Sequence, residues 1–94
     1  MQKIAYYEAW RSGIIRLLTE ERKRQKLSKY AIAQRSGVSE SMLSLVERGL
    51  RNPTMELMLR IADGVGVDLA ILIKKAKRRS ASKAKNLASR RAHL

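Results

Sequence analysis

The stretch from Lys29 to Gly49, KYAIAQRSGVSESMLSLVERG, decides the fold of this chain. Gly37 lies in its middle, where a reversal of the chain with a positive φ favours glycine. Ser28 and Ser39 are suitable N-caps for the segments on either side of that glycine. Ala33 is small, as the close approach of two helix backbones requires. The stretch therefore predicts two short helices joined by a tight turn.

Apolar spacing divides these two helices into an inward and an outward face. The residues expected to turn inward onto a shared core are Ile32, Val38, Leu43 and Val46. The residues left facing outward are Lys29, Glu40, Ser41, Ser44 and Leu45. A pair of helices with a tight turn and one filled face is the helix-turn-helix unit.

The flanking sequence predicts three further helices. A charged amphipathic segment begins near Tyr6 and ends before Leu27, Thr54 caps a fourth helix, and Asp68 begins a fifth. Runs of β-branched and aromatic residues typical of strands are absent from the sequence. The expected fold is a compact, all-α, five-helix domain.

Composition excludes several classes of site. The chain has 94 residues, no cysteine and a single histidine, His93, so disulfides, thiolate metal sites and a histidine-based catalytic site are not expected. We expect no metal, no cofactor and no enzymatic activity. The apolar run Leu69–Ile73 is too short to span a bilayer, and the N-terminus lacks a secretion signal, so the sequence favours a cytoplasmic protein without membrane contact.

The positive charge is unevenly distributed. The formal net charge of +13 divides into +4 for residues 1–27, zero for residues 28–73 and +9 for residues 74–94. This indicates an N-terminal extension of the first helix over residues 1–12, a folded domain over 13–73 and a basic tail over 74–94, helical or disordered. The tail opens with Lys74, Lys75, Lys77, Arg78 and Arg79. A phosphate-binding arm is favoured over a merely solubilising tail.

The chain resembles the lambda-repressor and Cro-like helix-turn-helix regulators, of the xenobiotic-response-element type, from about Ile14 to Leu72. The matching pieces are Leu27-Ser28, Ala33 with Gly37-Val38-Ser39, Ser44 with Glu47-Arg48-Gly49, Asn52-Pro53, and Ile61-Ala62 with Val65-Gly66-Val67. The resemblance implies that the third helix enters the major groove of double-stranded DNA, usually as a homodimer on a palindromic operator.

The resemblance also implies roles for single residues. The base-contacting positions fall on Glu40, Ser41, Ser44 and Leu45, and the phosphate-binding positions on Ser28, Lys29, Ser39, Arg51 and Asn52. Lys29 stands where the family commonly has a glutamine. The charge of the lysine favours an electrostatic contact with a phosphate, so the affinity for DNA should depend more steeply on salt concentration. Arg22 and Glu47 correspond to an ion pair that ties the first helix to the third.

Some features leave alternatives open. Tyr6, Tyr7 and Trp10 precede the matching region and can cover the core, form a dimer contact or, less favourably, stack on nucleic acid. Leu69, Leu72 and Ile73 can belong to the core or to a dimer seam. A sequence-specific regulator is the leading hypothesis. The alternatives are an antitoxin-type module that binds a toxin-like protein and controls its own operon, and a sequence-indifferent architectural DNA binder.

Overall fold

The computed structural model describes the backbone of residues 3–92 and the side chains of residues 5–80. Over that range it contains no strand and five helices: α1 (Lys3–Arg24), α2 (Lys29–Ser36), α3 (Glu40–Glu47), α4 (Met55–Val65) and α5 (Leu69–Ala92). The predicted all-α, five-helix fold is confirmed. Helix α1 begins earlier than Tyr6, and α3 ends at Glu47, with Arg48 as its C-cap. His93 lies outside the described residues.

Local hydrogen bonds explain where the helices begin and end. The hydroxyl oxygens of Ser28, Ser39 and Thr54 each accept the backbone N–H three residues later, at 3.0–3.1 Å, so all three predicted N-caps are present. Gly37 ends α2 at φ 75°, a left-handed conformation that favours glycine. Helix α1 ends without a glycine, because Lys26 itself adopts φ 57°.

The inward face predicted for α2 and α3 is confirmed, since its four residues are all buried. Helix α2 packs against α3 and α4, and α1 lies along α5. Helices α2 and α4 lie close together at Gly64, where a Cβ atom would lie 3.2 Å from side-chain atoms of Ile32 and Ser36. The buried apolar residues are Ile14, Leu17, Leu18, Ile32, Val38, Leu43, Val46, Met58, Ile61, Ala62, Val65, Leu69, Leu72 and Ala76.

The N-terminal part of α1 packs against the beginning of the basic segment. A Cβ atom on Gly13 would lie 3.3 Å from that of Ala76, which is only 1 % exposed, so the core extends beyond Ile73. The indole N–H of Trp10 donates to the carbonyl oxygen of Ile73 at 3.2 Å, and Nζ of Lys77 lies 5.6 Å from the centre of the Trp10 ring. Trp10 therefore covers this end of the core.

None of the helices in the described part of the chain is long and apolar enough to cross a lipid bilayer. Among the same residues, no group of three or more His, Cys, Asp or Glu side chains could hold a metal ion.

Candidate nucleic-acid interface

The outward face of α3 carries the four residues expected to contact bases. Glu40 and Ser41 are exposed, and Ser44 and Leu45 are half-buried. The opposite face of the helix is buried in the core, where Leu43 and Val46 are only 1 % and 2 % exposed. Helix α3 therefore cannot rotate without exposing these apolar side chains, and the polar face stays outward.

Lys29 connects the first turn of α2 to that outward face. Its ammonium nitrogen lies 3.4 Å from Oγ of Ser44, which is on the second turn of α3. The sequence predicted a phosphate contact for Lys29 and a base contact for Ser44, and the structure places the two side chains together. The beginning of α2 and the outward face of α3 thus form one continuous polar surface.

The remaining residues expected to bind phosphate lie at the N-termini of α2 and α3 or in the turn that follows α3. Ser28 and Ser39 accept backbone N–H groups as N-caps, which leaves each hydroxyl proton available to an outside acceptor. Arg51 and Asn52 are exposed in the turn between α3 and α4. Two helix N-termini and a basic turn offer the kinds of donors that bind phosphate oxygens.

A nearly buried ion pair fixes α3 relative to α1. Nε and one terminal nitrogen of Arg22 donate to the two carboxylate oxygens of Glu47, at 2.6 and 2.9 Å. The other terminal nitrogen donates to the carbonyl oxygen of Leu27 at 2.8 Å. Both charged side chains are only 10 % exposed. Arg22 therefore joins three parts of the chain: α1, the turn that leads to α2, and α3.

The basic residues of α5 form a separate surface. Lys74, Lys75, Lys77, Arg78 and Arg79 are all exposed, on a helix that packs along α1 rather than against α2 or α3. Close to this surface, hydrogen bonds from Arg24 and Gln25 lower the pKa of Glu21 to about 2, with a smaller contribution from the charge of Lys75. The structure does not bring these five basic residues together with the outward face of α3.

Tyr30 is a surface residue that the sequence-based predictions did not include. It follows Lys29 in the first turn of α2 and is 60 % exposed, and a tyrosine hydroxyl can bind a phosphate oxygen. Since Ile32 fills the inward face of this short helix, the helical spacing alone could have placed Tyr30 outside.

Comparison with known proteins agrees with this geometry. A helix-turn-helix family model matches residues 18–72, which include all of α2, α3 and α4. The chain is similar to two proteins named as uncharacterized HTH-type transcriptional regulators, from two strains of Mycobacterium tuberculosis, with 37 % identity over 59 residues in both cases. That similarity covers 63 % of this chain and 42 % of each relative, so the chain spans less than half the length of these relatives.

Proposed function

The chain belongs to the lambda-repressor/Cro-like helix-turn-helix family, and we propose that it is a transcriptional regulator that binds specific sequences of double-stranded DNA. The observation that carries the proposal is the outward face of α3, which is polar and held in place by a buried opposite face. The major groove is wide enough to admit such a helix. The family is a DNA-binding fold rather than an enzyme family, so the proposal includes no catalytic step.

The side chains on that face have the chemistry for contacts with base edges. The carboxylate of Glu40 can accept a hydrogen bond from the amino group of a cytosine, and the hydroxyl of Ser41 can bond to any base. Leu45 offers an apolar surface to the methyl group of a thymine.

Phosphate contacts would orient α3 in the groove. We assign them to Ser28, Ser39, Arg51 and Asn52, and we add Tyr30 on the basis of its exposure. Such contacts fix the position of a protein on the duplex but carry no sequence information directly. Substitution of these residues should weaken binding to all sequences alike.

The proposal includes a homodimer formed through α5. Leu69 and Leu72 are buried in the core, whereas Ile71 is 53 % exposed and lines a groove of about 430 Å³ between α1 and α5. The residues that line this groove include acidic side chains, such as Asp68, and basic ones, such as Lys75. A surface with both signs of charge can pair with its own copy about a two-fold axis. Ile71→Lys should then make the protein monomeric in sedimentation.

The charge of α5 favours a second candidate function, a sequence-indifferent architectural binder. Residues 74–94 carry nine basic and no acidic side chains, and the helix continues through Ala92. A protein that relied on this segment would bind any duplex through its phosphates and would lose most of its affinity when the segment is removed.

Selection of bound DNA from a random pool, with the purified full chain, separates these two functions. A regulator should enrich one sequence, with two half-sites in inverted orientation if the protein is a dimer. Its affinity for that sequence should exceed its affinity for random DNA by about a thousandfold or more. A ratio below about tenfold at moderate salt would contradict the proposal, since it lies far below the range of specific binders.

Two alanine variants on α3 test the location of the interface. Ser41→Ala and Leu45→Ala should reduce the ratio of specific to random affinity. Ser12→Ala is a suitable control, because Ser12 is also an exposed helical serine but lies on α1. If all three variants behaved like the parent protein, bases would not be contacted by this face of α3.

A further inference from the structure

The hydrogen bond between Lys29 and Ser44 determines what this part of the surface can offer to a base. A serine hydroxyl can both donate and accept, so by itself it does not distinguish one base from another. An ammonium group can only donate. Where Nζ of Lys29 bonds to Oγ of Ser44, the serine oxygen must therefore be the acceptor. The hydroxyl proton of Ser44 is then left to donate elsewhere.

Within the described side chains, that proton has no partner. The hydroxyl groups of Thr19 and Ser36 donate to carbonyl oxygens one helical turn earlier, at 2.9 and 2.7 Å. No corresponding bond is donated by Ser44. The pair of Lys29 and Ser44 thus presents mainly donors to the outside: the Ser44 hydroxyl proton and the remaining N–H groups of Lys29, against one remaining lone pair on Oγ of Ser44.

The charge of Lys29 is also uncompensated among the described residues. The ion pairs found there are Arg22–Glu47, Arg24–Glu21 and Arg60–Glu56, and none of them involves Lys29. Glu40 lies on the same face as Ser44 but one helical turn away, and it is not paired with Lys29. The ammonium group of Lys29 therefore has two further N–H donors for a ligand.

From this geometry we infer that Lys29 and Ser44 act together as a specificity determinant that selects a guanine in the major groove. This inference rests on the proposed function. Guanine presents two neighbouring acceptors in the major groove, N7 and O6, whereas adenine presents an acceptor beside a donor and cytosine presents a donor. A positively charged surface with more donors than acceptors matches the two acceptors of guanine best. Lys29 is thereby a base-contacting residue rather than a phosphate ligand alone.

The position of the ammonium group supports a base contact. Phosphates line the two edges of the groove, whereas Ser44 lies on the outward face of α3, the face that would meet the base edges. Since Nζ of Lys29 is 3.4 Å from Oγ of Ser44, the charge is held over the helix that enters the groove. Glu40 accepts hydrogen bonds and would contact a cytosine, whereas the Lys29–Ser44 pair donates them and would contact a guanine. The two groups then contact opposite members of G·C pairs, at different positions of the DNA site.

The test compares DNA selection by the full chain with selection by Lys29→Met and Ser44→Ala. The parent protein should select a guanine at one position of each half-site. In both variants the preference for that guanine should fall by at least about fivefold, the lower end of what a good base contact contributes, while the other positions keep their preferences. Lys23→Met is the matched control, because it removes the same charge from an exposed position on α1.

A modified base tests the contact at the level of one atom. Replacement of the selected guanine by 7-deazaguanine, which lacks the N7 acceptor, should weaken binding of the parent protein and leave binding of Lys29→Met nearly unchanged. Helix content and melting temperature of each variant should match those of the parent, so that a folding defect is detected separately.

Two outcomes would overturn the inference. In one, Lys29→Met weakens binding to all sequences by the same factor, as Lys23→Met or the removal of a phosphate ligand would. In the other, the parent protein selects a sequence but no guanine depends on Lys29. If the parent protein selects no sequence at all, the proposed function itself fails, so the two failures are distinguishable.

Discussion

Substitution of Glu47 by glutamine is expected to destabilise the domain strongly. The change keeps the size of the side chain but removes the charge that faces Arg22 and replaces one acceptor oxygen by a donor. Removing one partner of a buried ion pair typically costs about 3–5 kcal/mol. Because both side chains are 10 % exposed and Arg22 keeps its bond to Leu27, we expect the lower end, a loss of about 3 kcal/mol. In a domain of this size that lowers the melting temperature by about 12–24 °C.

Thermal and urea unfolding, followed by circular dichroism and by the fluorescence of Trp10, measure this loss. Glu56→Gln is the matched control, since the Glu56–Arg60 pair spans 3.3 Å but its side chains are 78 % and 53 % exposed. An exposed helical pair of this kind contributes only about 0.3–0.5 kcal/mol. The double variant Arg22→Met with Glu47→Leu should recover much of the stability, because no charge is then left unpaired. A loss below about 1 kcal/mol for Glu47→Gln would refute this reasoning. So would a loss in the double variant equal to the sum of the losses in Arg22→Met alone and Glu47→Leu alone.

Three further predictions concern other parts of the chain. Gly64→Val should lower the free energy of unfolding by about 1–3 kcal/mol, because the new side chain would press on Ile32 where α2 and α4 meet. Urea unfolding measures this loss. An unchanged midpoint of unfolding would contradict the tight packing at Gly64. Arg24→Gln should raise the pKa of Glu21 from about 2 towards its ordinary value, since the bond from Arg24 is the main cause of the low pKa. In the parent protein the stabilisation from Glu21 is present above the carboxyl's ordinary pKa and is lost as the pH falls towards 2. If NMR titration of the Glu21 carboxyl gave the same curve in the parent protein and in Arg24→Gln, the bond from Arg24 would not be the cause of the low pKa. Truncation after Ser80 removes four basic residues. The slope of log affinity against log salt concentration should then become shallower by about 0.9 for each phosphate that the protein no longer neutralises. An identical slope would show that the removed segment does not touch DNA.

Much of the fold could be predicted because its signals are local. Ser28, Ser39 and Thr54 cap their helices through bonds to backbone groups three residues away, and Gly37 meets a local demand for a positive φ. The end of α1 was harder to predict exactly, since Lys26 adopts a left-handed conformation that the sequence does not indicate. The candidate site could be located for a similar reason, because helical periodicity separates an apolar face from a polar one within eight residues of α3.

The sequence by itself determined the number of helices, their approximate ends and the side of α3 that faces outward, since caps and apolar periodicity act over a few residues. Only the tertiary structure decided that Lys29 bonds to Ser44, that α4 packs tightly on α2 at Gly64 and that Trp10 covers the core beside α5. Each of these contacts joins residues far apart in the chain. Their distances depend on how whole helices cross, which is set by the packing of all the core side chains together.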